Sequence, residues 1–101
     1  QGAEEDLKIK AQTALYRVAQ EALNNVVKHA QAKSVKVEME ISPQEKGVLR
    51  IRDDGRGFGE SEIAGNRQYG LQGMKERVTE IGGELTIESV KGKGTTVTVR
   101  F

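Results

Sequence analysis

At 101 residues the chain has room for one compact domain, and a second core could not be built from what would remain. Hydrophobic residues make up 36% and charged residues 31%, the balance of a globular domain, and no apolar run approaches the roughly 18–20 residues that span a bilayer. A net charge of +1, with basic and acidic residues interspersed, gives no field to gather nucleic acid or anionic lipid. The absence of cysteine excludes disulfides and thiolate chemistry. The expectation is a cytoplasmic domain with no nucleic-acid partner and no direct membrane contact, although its parent protein can still be attached to the inner membrane.

The first nine residues are polar and weakly patterned. They lead directly into a helix, so the domain is expected to be truncated on its N-terminal side, with an upstream strand missing. From about Lys10 to Ala30, Leu15, Val18, Ala22 and Val26 recur at helical spacing with no glycine or proline between them. On the same helix Glu21, Asn25 and Lys28 fall within an arc of roughly 60° beside the apolar stripe. A carboxylate, a carboxamide and an ammonium gathered there can act as base, oxygen ligand for a hard cation and phosphate contact; they can equally form a solvated face.

Val35, Val37, Met39 and Ile41 alternate strictly with Lys36, Glu38 and Glu40, which predicts a strand with one buried face. A turn at Pro43 to Gly47 leads to an antiparallel partner from Val48 to Asp53. In that partner Leu49, Ile51 and Asp53 share a face. An inward carboxylate must either leave the sheet in the following turn or meet a specific donor, because an unpaired buried charge is costly. A loop is expected from Gly55 to Gly70, and its glycines at 55, 57, 59, 65 and 70, with Gly73 beyond, permit close backbone approach to an anion.

Leu71, Met74, Val78 and Ile81 restore helical spacing until Gly82-Gly83, a pair suited to ending a helix at positive φ. Two last strands follow, one carrying Leu85 and Ile87 and the other Val97, Val99 and Phe101, around a turn at Gly92 to Gly94. Thr95 shares parity with the apolar residues of its strand, so a hydroxyl joins the Asp53 carboxylate on the inward face. Two polar groups on an apolar sheet face suit a donor-bearing ligand such as a purine amino group. The order of elements predicts an α+β fold, a two-layer sandwich whose mixed, mainly antiparallel sheet is covered on one face by helices.

The segments QEALNNVVKHA, DDGRGFG, YGLQGM and GKGTTV occur in that order across about three quarters of the chain. Together they resemble the asparagine box, the two glycine boxes and the final glycine-threonine motif of the gyrase, heat-shock chaperone, histidine kinase and MutL ATPase superfamily, in its histidine-kinase branch. The Gln-Glu opening of the first motif and the GLxGM form of the third resemble kinases of the nitrate-sensor and lipid-sensor type. So do a short lid and the lack of a phenylalanine-containing box.

The resemblance implies a Bergerat-type fold that binds ATP and Mg²⁺ and transfers the γ-phosphoryl to a histidine on a separate dimerisation domain, for relay to a response regulator by a homodimeric parent. It implies that Asn25 coordinates magnesium, Lys28 contacts phosphate and His29 lies beside the nucleotide. Asp53 accepts the adenine amino hydrogen, Gly55 and Gly57 open the adenine site, Gly70, Leu71 and Gly73 line the phosphates, and Thr95 supports the adenine end. Glu21, standing where many relatives carry asparagine, becomes the general base. That glutamate also admits a serine kinase of the anti-sigma type or a small ATPase on the same fold, and a catalytically silent nucleotide-binding module is the remaining alternative.

Overall fold

The computed structural model describes residues 2–27, 32–43, 46–57 and 66–101, with side chains placed outside 2–8 and 66–70. Lys28, His29, Gly59 and Gly65 lie outside the described residues. The element order is α1 (Gly2–Asn25), β1 (Val35–Ile41), β2 (Gly47–Asp53), α2 (Asn66–Glu80), β3 (Glu84–Val90) and β4 (Gly94–Arg100).

The strands form one sheet in the order β1-β2-β4-β3. All three pairings are antiparallel, so the mixed character expected of the sheet is absent among the described strands. This follows from the path of the chain: the α2 connection carries β3 to the far edge, and β4 returns between β3 and β2. Register partners share a face, which stacks the inward residues in rows such as Val37–Ile51–Val97–Ile87 and Met39–Leu49–Val99–Leu85.

The helices cover one side of the sheet, as the apolar spacing predicts. Leu15, Val18 and Ala22 of α1 and Met74 and Val78 of α2 join Leu49, Ile51, Val97 and Val99 in one core, while Leu71, Ile81, Leu85, Ile87 and Phe101 close its margins. α1 packs on α2 and β2, and α2 on β3. Val18 and Val99, both with no exposed surface, sit at the centre of this helix-to-sheet packing.

Three expectations change. First, α1 begins at Gly2, because nothing between Ala3 and Val27 interrupts a helix, and the polar opening residues extend it instead of preceding it. It ends in a wider π-type turn at Val26 and Val27. Second, the apolar face of β1 is not buried: Val35, Val37, Met39 and Ile41 are 41–60% exposed. They point to the helical side, but the two helices lie over β2, β4 and β3, and the edge strand extends beyond their reach among the described residues. Third, α2 begins at Asn66, so Gly70 sits inside the helix and not in the loop before it.

The end of α2 behaves as its glycines predict. Gly82 has φ 74°, its N–H bonds the Thr79 carbonyl, and the Gly83 N–H bonds the Val78 carbonyl at 2.9 Å. These paired bonds are the Schellman ending, which satisfies carbonyls the helix leaves open. No helix among the described residues is long and apolar enough to cross a membrane.

Candidate functional site

The sheet terminates on one side in an inward row of polar residues. Asp53 pairs with Thr95, and Thr95 pairs with Ser89. Each follows the alternation of its own strand, so the polar row continues the apolar rows beneath it. Asp53 is 7% exposed, and its Oδ1 accepts the Gly55 N–H at 2.8 Å. Among the described residues nothing donates to Oδ2, a half-satisfied carboxylate at the edge of the core. The carboxylate thus turns the chain at Gly55 through one oxygen and leaves the other without a donor among the described residues. It opens on a cleft of about 650 Å³ whose lining includes Val35, Asp53, Asp54, Gly94 and Thr95.

Two turns are docked on each other behind this row. The Gly92 N–H donates to the Arg56 carbonyl, fastening the exit of β2 to the β3–β4 turn. Gly57 is buried at φ 62°, and a Cβ there would strike the Val90 carbonyl. Gly94, at φ 105°, lies so close to the Asp53 carbonyl oxygen that it too has no space for a side chain. Glycine is therefore required at both positions by backbone contact, and the contact holds Asp53 and Thr95 side by side.

Asp54 secures the other side of the row. Its Oδ1 accepts the backbone N–H groups of Lys33 and Ser34, each at 2.9 Å, and its Oδ2 takes the Ser34 hydroxyl at 3.0 Å. The Ser34 backbone bond, then the Ser34 hydroxyl, hold the exposed Asp54 carboxyl below its ordinary value, with the Lys33 N–H adding to them. The entry to β1 is thereby clamped to the exit of β2. Neither Asp54 nor Ser89 was singled out as a site residue from the sequence. Ser89 was legible, since it shares parity with Leu85 and Ile87, whereas the Asp54 clamp joins segments twenty residues apart and has no local signal.

A second cleft, of about 250 Å³, lies between the helices and is lined by Arg17, Glu21, Asn24, Gly73 and Arg77 among others. Glu21 of α1 and Gly73 of α2 line this cleft from opposite helices. Asn25 follows Glu21 by one turn and is half-buried, just before the π-type widening. Such widened turns recur at functional sites because they redirect a side chain without ending the helix. The structure thus groups Asp53, Gly55, Gly57 and Thr95 at the sheet end, and Glu21 with Gly73 between the helices. Leu71 packs against the core. Gly70 lies beyond the first four residues of α2, so its amide is within reach of an intrahelical partner and not among the open amides of the first turn.

No group of three or more acidic, histidine or cysteine side chains able to hold a metal occurs among the described residues. The half-buried carboxamide of Asn25 fits the mode in which Mg²⁺ takes one protein oxygen and completes its shell with phosphate and water.

Residues 10–101 match the family described as histidine kinase-, DNA gyrase B-, and HSP90-like ATPase. The chain is 39% identical to the signal transduction histidine-protein kinase/phosphatase DegS of Bacillus subtilis over 98% of its own length and 26% of that protein's. It is 47% identical to the sensor histidine kinase ComP of the same organism, over 87% of this chain and 11% of ComP. Sensor histidine kinase LiaS is 42% identical over 85% of this chain and 23% of LiaS. The chain thus spans about a quarter or less of these relatives. Among solved structures, the histidine kinase domain of the Erythrobacter litoralis blue-light activated histidine kinase superposes with TM-score 0.76 at 24% identity, covering 92% of this chain and 45% of that one. With the four motifs set on the helix, sheet end and turns just described, the chain belongs to the histidine kinase-, gyrase B- and HSP90-like ATPase family, as an ATP-binding domain of the sensor histidine kinase type.

Proposed function

We propose that this chain binds magnesium ATP and delivers its γ-phosphoryl to a histidine on a separate dimerisation domain of the same protein, for relay to a response regulator. The observation that carries the reading is the buried Asp53 carboxylate, whose Oδ2 has no donor among the described residues and whose register partner Thr95 lines the same cleft. An inward acceptor at a sheet end fits a donor such as an exocyclic purine amino group.

The α1–α2 cleft supports the phosphate end of the same reading. Glu21 and Gly73 both line it, so the proposed base and a phosphate-lining segment share one cavity. Glu21 accepts the proton of the attacking imidazole, and Asn25 turns its oxygen toward the cation. Lys28 and His29, next in the chain, supply a phosphate contact and a neighbour to the nucleotide. Bound magnesium would neutralise triphosphate charge, the main electrostatic demand of phosphoryl transfer. The similarity to the sensor kinases DegS, ComP and LiaS supports the kinase reading, and we take the parent to be a homodimer with this domain in the cytoplasm.

The test is phosphotransfer by the parent protein. Acid-labile, alkali-stable phosphate arising on histidine from labelled ATP supports the reading. Phosphate on serine, or release of inorganic phosphate alone, replaces it with a serine kinase or a simple ATPase.

A further inference from the structure

The polar row extends one strand further than the two residues assigned to the purine. Ser89 Oγ and Thr95 Oγ1 are 2.7 Å apart, a distance at which one hydroxyl must give its hydrogen to the other. A serine hydroxyl has one hydrogen, and the Gly94 carbonyl at 3.4 Å is a second acceptor for it. In the arrangement where Ser89 serves that carbonyl, Thr95 supplies the shared hydrogen, turns it toward β3 and offers the cleft only lone pairs. No hydrogen bond joins it to its register partner Asp53 among the described residues, so its hydrogen does not silence the carboxylate.

We propose that Ser89 is a positioning residue that fixes Thr95 as a hydrogen-bond acceptor and so sets the site's preference for a 6-amino purine over a 6-oxo purine. The inference rests on the reading of this cleft as the purine site and adds to it the polarity of its second recognition group. Asp53 Oδ2 and Thr95 Oγ1 form a pair of acceptors, matched by an amino group and opposed by a carbonyl oxygen. Were Thr95 free to rotate, its hydroxyl could donate to the 6-oxo group and relax the preference. The device costs no additional charge and uses only the register of three adjacent strands.

The experiment compares ATP with inosine triphosphate, which differs in the amino-to-oxo exchange at position 6, by calorimetric titration of the full chain. Ser89→Ala should lower the ATP-to-inosine triphosphate affinity ratio roughly two- to tenfold, the scale of one lost hydrogen bond. Ser89→Thr, which keeps the acceptor, should restore it. In a Thr95→Val background the Ser89→Ala change should have no further effect on the ratio, because its route runs through the Thr95 hydroxyl. Ser89→Cys, near in shape but a weak acceptor, gives the same reading should the alanine variant fail to fold. An unchanged ratio in Ser89→Ala, or an equal loss in both backgrounds, overturns the proposal. If Asp53→Asn lowers the ratio while Ser89→Ala does not, only the role of Ser89 falls. If Asp53→Asn also leaves it unchanged, the purine site itself has been misplaced.

Discussion

Asp53 and Thr95 are register partners on β2 and β4, a carboxylate and a hydroxyl facing the same cleft from adjacent strands. The Gly55 N–H holds one carboxylate oxygen at 2.8 Å and leaves the other without a donor among the described residues. Asp53→Asn keeps the size of the side chain but places an amide donor where an acceptor is needed. ATP binding should weaken by about 1–3 kcal/mol, roughly five- to 150-fold, with the fold retained. Calorimetry with circular dichroism as the fold control checks this, and unchanged affinity in a folded variant removes Asp53 from the site.

Glu21 and Asn25 are one turn apart yet should fail differently. Asn25→Ala deletes an oxygen available to a hard cation, so the magnesium-dependent part of nucleotide affinity should disappear. Glu21→Gln keeps the size but cannot take a proton, so binding should persist while transfer slows by about a hundredfold or more. The parent protein is needed, with nucleotide binding and phosphohistidine formation measured separately. Transfer at the parental rate by Glu21→Gln would show that Glu21 is not the base.

Gly73 separates stability from function. It lies inside α2 with nothing within 4 Å of the position a Cβ would take. Gly73→Ala should stabilise the protein by about 0.5–1 kcal/mol through helix propensity. If phosphate is lined by the backbone of Gly70, Leu71 and Gly73, the first turns of α2 must open to release those amides, and the same variant should bind ATP more weakly. Urea denaturation and nucleotide titration of one protein decide it: higher stability with unaltered affinity argues against opening.

The Asp54 clamp predicts an acid dependence. Its carboxyl is held below the ordinary value in the folded chain, so its contribution is fully present above the unfolded value near 3.8 and is lost as pH falls through the folded one. Asp54→Asn should reduce the slope of stability against pH on the acid side of about pH 5, since the amide does not titrate there. Thermal melts of both proteins across pH 3 to 7 measure this, and parallel curves would exclude the clamp as the source.

Most of the architecture was legible in the residues themselves. Leu15, Val18 and Ala22, then Met74 and Val78, announced the helix faces because only one layer covers this sheet. Asp53 and Thr95 were legible as inward polar groups because strand alternation has a fixed period of two. The same alternation misled for β1, where Val35 to Ile41 have the pattern of a buried face. Alternation reports which side a residue points to, and the extent of the opposite layer decides whether that side is covered. The early start of α2 was hidden for a related reason: Gly70 and Gly73 lower helix propensity, and the packing of Met74 and Val78 against the core outweighs it. The pairing of Glu21 with Gly73 depended on how α1 and α2 are set together, which no local pattern encodes.

The docking of the β2 exit on the β3–β4 turn constrains how this sequence can change length. The Gly92 N–H donates to the Arg56 carbonyl, and Gly57 touches Val90 with no space between them. A residue inserted anywhere from Lys91 to Lys93 would displace the seat on which Asp53 rests and shift Thr95 out of register with it. At the opposite end of the sheet Ser42 is bonded to Lys46, and Gly47 exchanges two backbone bonds with Phe101. Related sequences should therefore keep the count from Ser89 to Thr95 fixed at seven.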